Sequence, residues 1–345
     1  MIQSFAEMKH LFQAGLEGNK ESLMLFGATY SKQLKAYLIE SNLFLKNVSA
    51  TPDGGRWVKL DVNNWYVNSG GDLPGTLFLD TSRKRVWILY SLMKAKESDD
   101  KISSWISVNQ GLDKCWLSHN HLMHFQKSGS WIEKGIGLNF SDGLTPKQDA
   151  GKFSLKAWYG LKEPVPGVNE FLALAKEKIA INSIRWQKRS GGSVKITEEW
   201  YSNGKVTVNQ AEDAEEVMIS ISEIANRYED ALFVATDNRD KKLCAFELNF
   251  TKTLDLDAFS EAVAMGKSGM NLWLIEIESS SDFKRFKGVD LHTWDRVFMD
   301  VGLDYAYLTI PGNGCVNAAP RIATVQGEDN AGRTSIFFDG VEMFA

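Results

Sequence analysis

Cysteine, histidine and proline are scarce in this chain: three, five and seven residues among 345. Cys115, Cys244 and Cys315 are odd in number and lie far apart, which excludes a disulfide framework and fits a reducing, cytoplasmic setting. Few prolines and an apolar fraction of 43% exclude an extended low-complexity or disordered chain. No run approaches the roughly 20 apolar residues needed to cross a bilayer, so no membrane partner is expected. Met1 to Leu16 reads as a short amphipathic helix instead of a leader, because Glu7, Lys9 and His10 interrupt its apolar residues. Neither a GxxxxGK[ST] nor a GxGxxG phosphate cradle is present.

Basic surplus is missing as well. The formal charge is −5, which argues against a dominant polyanion-binding surface. The charge is unevenly spread: 20 basic and 16 acidic residues precede Val165, and 19 basic and 28 acidic lie from it onward, giving +4 and −9. Opposite signs of this kind favour association between halves or between chains.

What the chain has is aromatic residues and an internal echo. Eleven tryptophans and nineteen phenylalanines are expected mainly to pack sheet faces, Trp57, Trp87, Trp105, Trp116, Trp186, Trp200, Trp273 and Trp294 among them. Four signatures recur in the same order. Gly54-Gly55 leading to Trp65-Tyr66 returns as Gly191-Gly192 leading to Trp200-Tyr201. A polar-turn hairpin over Leu77-Phe78-Leu79 and Val86-Trp87-Ile88-Leu89 returns over Leu232-Phe233-Val234 and Leu243-Cys244-Ala245-Phe246. A helix, a glycine and a tryptophan strand (Ile102 to Trp116) return as Leu256 to Trp273, and Ala150-Gly151-Lys152 returns as Ala331-Gly332-Arg333.

The spacing between copies grows from 137 to 181 residues, so the second copy carries insertions. The longest is an expected helix over 214–228, with Val217, Ile221, Ile224 and Ala225 on one face. The pattern predicts an α+β fold of two tandem, related domains, 1–163 and 168–345, each a mainly antiparallel sheet with a few helices. The linker is Leu161-Lys162-Glu163-Pro164-Val165-Pro166-Gly167. After it, Phe171, Leu172, Leu174, Ala175 and Ile179 predict a helix, with the stretch around Leu34, Tyr37 and Leu38 as its counterpart.

Three clusters carry candidate chemistry. Cys115 to His124 holds three of the five histidines. If a strand continues from Trp116, His119 and His121 share a face; aligning Trp116 with Trp273 sets Glu276 and Glu278 opposite them. Those four would suit a divalent transition metal such as zinc, manganese or iron, and with it a metal-dependent hydrolase. The bland reading is two half-exposed strands that are polar because they touch water. A second cluster, Phe283, Lys284, Arg285, Phe286 and Lys287, would contact a partner, either a protein or, as a less favoured reading, nucleic acid; it equally describes a solvated amphipathic helix. The third is the glycine-rich loop holding Asn313, Cys315 and Asn317, where Cys315 would be a nucleophile only if His292 were brought near as a base; a simple turn explains the loop as well. Without a catalytic motif, the sequence favours a non-catalytic binding or assembly module that holds a protein partner, or another copy of itself, through aromatic-rich sheet faces or the domain interface.

Overall fold

The computed structural model describes residues 4–18, 33–48, 50–68, 77–141, 152–158, 170, 173–174, 176–242, 244–264, 269–330 and 332–344. Strands build two antiparallel sheets, of eleven and seven strands, accompanied by helices, and the protein is α+β. The first sheet runs in the order β2 (Arg56–Lys59), β3 (Asn64–Asn68), β4 (Leu77–Asp80), β5 (Val86–Ser91), β1 (Leu34–Ser41), β11 (Lys205–Ala211), β10 (Ser193–Tyr201), β9 (Ser183–Ser190), β7 (Trp131–Ser141), β8 (Lys152–Trp158). The short β6 (Leu112–Lys114) pairs with one end of β1. The second runs β13 (Leu272–Ser279), β14 (Phe283–Asp290), β15 (Arg296–Gly302), β16 (Tyr305–Thr309), β12 (Phe246–Phe250), β17 (Thr334–Phe338), β18 (Val341–Met343).

Two compact units emerge, and they do not follow chain order. The first comprises Met1–Cys115, His124–Glu133 and Arg185–Glu229; the second comprises Trp116–Met123, Lys134–Ile184 and Asp230–Ala345. The expected division into 1–163 and 168–345 differs because the chain returns to the first sheet after residue 185. There β11 pairs antiparallel with β1, Leu34 opposite Val208 and Tyr37 opposite Lys205. The linker Leu161–Gly167 lies outside the described residues, as do Phe171, Leu172 and Ala175.

The N-terminal helix is present as α1 (Phe5–Glu17). Ser4 Oγ accepts from the Glu7 amide at its start, and Gly18 closes it in the left-handed conformation. The stretch around Leu34, Tyr37 and Leu38 is β1 and not a helix. All eight of its residues are buried, and a short apolar run buried on both faces carries no periodicity that separates strand from helix. Tyr37, Ile39, Leu79, Trp87 and Leu89 pack on one face with Ile102 and Trp105 of α2 (Ala95–Val108). Trp105 donates to the Ala50 carbonyl at 2.7 Å and meets Trp57 edge to face. On α1, Phe12 packs against Phe78 and Tyr90, with ring centroids 5.3 and 5.1 Å apart.

The echo is partly structural. Helix, glycine and strand recur as α2, Gly111, β6 and as α5 (Leu256–Ala264), Gly269, β13, and the last signature is a strand both times, β8 and β17. The second hairpin is not there. Leu232, Phe233 and Val234 belong to α4 (Ala214–Lys241), the expected inserted helix continued well past 228. Val217, Ile221, Ile224, Ala225, Tyr228, Leu232 and Ala235 are all buried and keep a three-and-four spacing, which outweighs the local resemblance to a strand. Gly191 and Gly192, with φ of 57° and 83°, form the β9–β10 turn, whereas Gly54 and Gly55 precede β2.

Gly204 is required by both conformation and space. Gly204, at φ 77°, turns β10 into β11; a Cβ there would sit 2.6 Å from the Cys115 carbonyl oxygen and 3.0 Å from that of Leu38. Gly204→Ala is expected to lower unfolding free energy by about 1–3 kcal/mol, read as a fall in the urea midpoint. An unchanged midpoint would show that the turn relaxes freely.

Candidate functional site

The histidine cluster folds differently from its expectation. No strand continues from Trp116; residues 119–122 form a single helical turn, α3 (His119–Leu122), capped by Ser118, whose Oγ accepts from the His121 amide. Residues two apart on a helix point some 200° apart, so His119 and His121 do not share a face. His121 is buried, its Nδ1 2.8 Å from Ser118 Oγ, which also donates to the Phe344 carbonyl at 2.5 Å. Burial, then Arg333 and Lys176, depress the His119 imidazole to about 4, so it is neutral near pH 7. His124 is also depressed, by burial and then by Arg227, whose Nη1 lies 2.8 Å from Nδ1.

The carboxylates set opposite these histidines are engaged elsewhere. Glu276 accepts from Lys284 at 3.0 Å and Ser260 at 2.8 Å, and those hydrogen bonds hold it below the usual carboxylate range. Glu278 accepts from Arg285 at 2.6 Å. Among the described residues, His119, His121, Glu276 and Glu278 supply no three ligand atoms within 4.8 Å of one another.

Phe283 to Lys287 is strand β14, not a helix, and its alternation divides the cluster. Lys284 turns inward, with its ammonium 2.7 Å from Asp257 and 3.0 Å from Glu276, and Phe286 packs on Phe259. Arg285 faces outward and makes a fork with Asp300 at 2.8 and 3.1 Å. Two of the three cations are thus neutralised within the fold; Lys287 is the exposed one without an ion pair among the described residues. A phosphate-gripping face does not arise from this arrangement.

The loop before α6 (Ala318–Asn330) is a helix entry. Gly314 N–H donates to the Pro311 carbonyl, Ala318 to Cys315 and Arg321 to Asn317, while Asn313 is exposed and Cys315 and Asn317 are buried. Cys315 Sγ lies within 4.8 Å of a His292 ring nitrogen, so the fold does bring that pair together. Both are buried, at 3% and 4% exposure, which closes the thiol to a substrate and leaves it as packing.

Sequence reasoning missed the outer face of the seven-stranded sheet. Six of the eight named tryptophans are buried or half-buried, as expected, but Trp273 and Trp294 are 54% and 55% exposed. On β13, Trp273, Ile275 and Ile277 are each about half exposed. The next strands extend the row: Ile275 pairs with Lys287, Lys287 with Phe298, and Arg285 with Asp300, which pairs with Tyr307. Phe298 and Tyr307 are also exposed. The opposite face is ordinary core, with Leu272, Leu274, Phe286, Val297, Met299 and Leu308 buried. Among the described residues β13 ends the sheet, with one strand neighbour. The signal in the sequence was apolar residues on both phases of one strand, Leu-Trp-Leu-Ile-Glu-Ile, which means either burial on two faces or an apolar surface.

The described residues therefore define an α+β protein with an aromatic, open sheet face and no assembled histidine–carboxylate metal centre among the predicted ligands. The MJECL33-like protein family matches residues 1–326, and the chain belongs to that family. It is 25% identical over 341 residues to the uncharacterized protein MJECL33 of Methanocaldococcus jannaschii, covering 84% of this chain and 82% of that protein. No helix among the described residues is long and apolar enough to cross a membrane.

Proposed function

We propose that the protein is a non-catalytic assembly module whose partner is a second copy of itself, joined along β13. The observation that carries this reading is the exposed row Trp273, Ile275 and Ile277 on a strand at the end of its sheet. An unpaired edge presents a ladder of backbone donors and acceptors, and soluble proteins usually blunt such edges with charge, proline or brevity. β13 has eight residues and no proline; its acidic groups Glu276 and Glu278 are already ion-paired, and its one irregularity, a register shift against β14 between those two residues, leaves Leu272 to Glu276 regular.

The strand suits itself. Antiparallel pairing about Ile275 brings Trp273 of one copy toward Ile277 of the other, twice by symmetry, with Ile277 at the register shift of the strand, so apolar side chains meet apolar ones. Lys287 and Arg296, one strand or more inward and exposed, fall outside the seam and form a polar rim.

Light scattering coupled to size exclusion tests this with the purified chain. At about 50 µM a dimer is expected, dissociating on dilution by mass action. Ile275→Lys, at a position already half exposed, is expected to raise the dissociation constant at least about tenfold, which is some 1.4 kcal/mol, with an unchanged melting temperature at dilutions where both proteins are monomeric. A wild type that stays monomeric, or a variant that dimerises as well, would sink the reading.

A further inference from the structure

A second feature, independent of the sheet edge, lies within the first unit. Between β1, β6 and α2 a half-open cleft of about 330 Å³ is lined by Tyr37, Asp99, Lys114, Tyr201 and Lys205, with Asn203 and Ser103 at its walls. That volume is at the small end of the roughly 300–1,000 Å³ of small-molecule sites. Ile102 and Ile106 of α2 and Leu38 and Ile39 of β1 supply its apolar part.

The polar groups are held, not scattered. Lys205 stands opposite Tyr37 in the β1–β11 ladder. Its ammonium is 2.7 Å from Asp99 Oδ2 and lies over the Tyr37 and Tyr201 rings, 5.9 and 5.6 Å from their centroids. Tyr37 donates to the other Asp99 oxygen at 2.7 Å; burial pushes its phenol far above the ordinary range, so it stays a donor. The carboxylate thus fixes both the phenol and the ammonium.

The charge balance at this spot is positive. Lys114 and Lys205 face one carboxylate, and an ammonium bonded once to Asp99 still has two N–H donors. Behind the cleft, Lys35 donates to the carbonyls of Gln33 and Met93 and is depressed to about 8, first by burial and next by Lys205, with Asp99 pulling the other way. Asp99, with 42% of its side chain accessible, keeps Lys205 oriented without closing the opening.

We infer that this cleft binds a small organic anion, a carboxylate or phosphate monoester with a short apolar body. The anion lies against Lys205 and Lys114, and the body lies along Ile102 and Ile106. Neutral analogues of the same shape lose the charge-assisted hydrogen bonds that distinguish this site from a plain apolar groove.

Calorimetry of the full chain tests it with sodium hexanoate and hexyl phosphate as probes and hexanol as the neutral control. At least one anion is expected to bind about tenfold or more tightly than hexanol, a difference of roughly 1.4 kcal/mol. Ser103→Phe, at an exposed helix position on the cleft wall, is expected to abolish binding by filling the space while leaving the melting temperature in place. Lys205→Gln is expected to weaken it about tenfold and Lys205→Arg to retain it, since only the arginine keeps a charged donor. No binding of either anion, equal binding of hexanol, or undiminished binding in folded Ser103→Phe would each overturn the inference.

Discussion

Replacing Arg321 with methionine is expected to destabilise the second unit by about 3–5 kcal/mol, because it strands a carboxylate in the core. Arg321 and Asp290 are 0% and 1% exposed, with Nη2 2.5 Å from Oδ1. Arg321 Nε also donates to the Met270 carbonyl at 2.7 Å, and the same Asp290 oxygen accepts the His292 amide at 3.0 Å. The carboxylate therefore holds the turn after β14, where the Asp290 amide donates to the Asp295 carbonyl and the Trp294 amide to the Asp290 carbonyl at 2.6 Å. Trp294 sits there at φ 62°, a left-handed conformation that a bulky residue keeps only when its surroundings impose it. Removing the guanidinium leaves the Met270 carbonyl and the carboxylate without their strongest donor, both shut off from water.

Urea unfolding followed by tryptophan fluorescence measures the loss, and a melting shift of about 10 °C corresponds to it for a unit of this size. The double variant Arg321→Met with Asp290→Asn removes the stranded charge and is expected to regain part of the loss, since uncharged groups of similar volume replace buried pairs at little net cost. A single variant that loses less than about 1 kcal/mol would mean that water reaches Asp290 and that the pair does not organise the turn.

How much of this was legible depends on what each residue type signals. The amphipathic first helix, the β4–β5 hairpin and the start of α4 at Ala214 followed from periodicity and turn chemistry. β1 did not, because a strand buried on both faces shows no alternation. β14 was equally opaque: Phe283 to Lys287 alternates, but its inward lysine is buried against Glu276 of β13 and Asp257 of α5, and Asp257 lies too far along the chain for a local window to contain it. Arg321 had a local trace, one arginine after Ala318-Ala319-Pro320 in a segment that proved almost wholly buried. Its partner lies 31 positions earlier, and pairing across that distance is set by topology. The composite histidine–carboxylate site rested on extending a strand past Trp116, and the Ser118 cap ended that extension.

Glu198 shows the same limit and gives a pH dependence expected between acid and neutral pH. It lies on β10 between Ile196 and Trp200, all three buried, in a run, Thr-Glu-Glu-Trp, that reads as a half-exposed polar edge. Its carboxyl accepts from Ser220 of α4 at 2.6 Å and from Trp200 Nε1 at 2.9 Å. Those bonds favour the ionised form, but burial outweighs them and raises its pKa from 4.5 to about 7. The sign follows from proton uptake: between those two values the folded chain holds a proton on Glu198 that the unfolded chain has released. Stability from this group is therefore fully present below about pH 4.5 and is lost as pH rises through about 7, a fall of the order of 3 kcal/mol. Glu198→Gln removes the titration. Its carbonyl accepts from Trp200, and its amide donates to Ser220, whose hydroxyl serves as acceptor as readily as donor. Urea midpoints measured from pH 5 to 8 are expected to converge for the two proteins at the acid end and to separate toward neutrality, with the variant the more stable. Parallel curves across that range would show that Glu198 is ionised in the fold at all these pH values and that its two hydrogen bonds, not its burial, set its state.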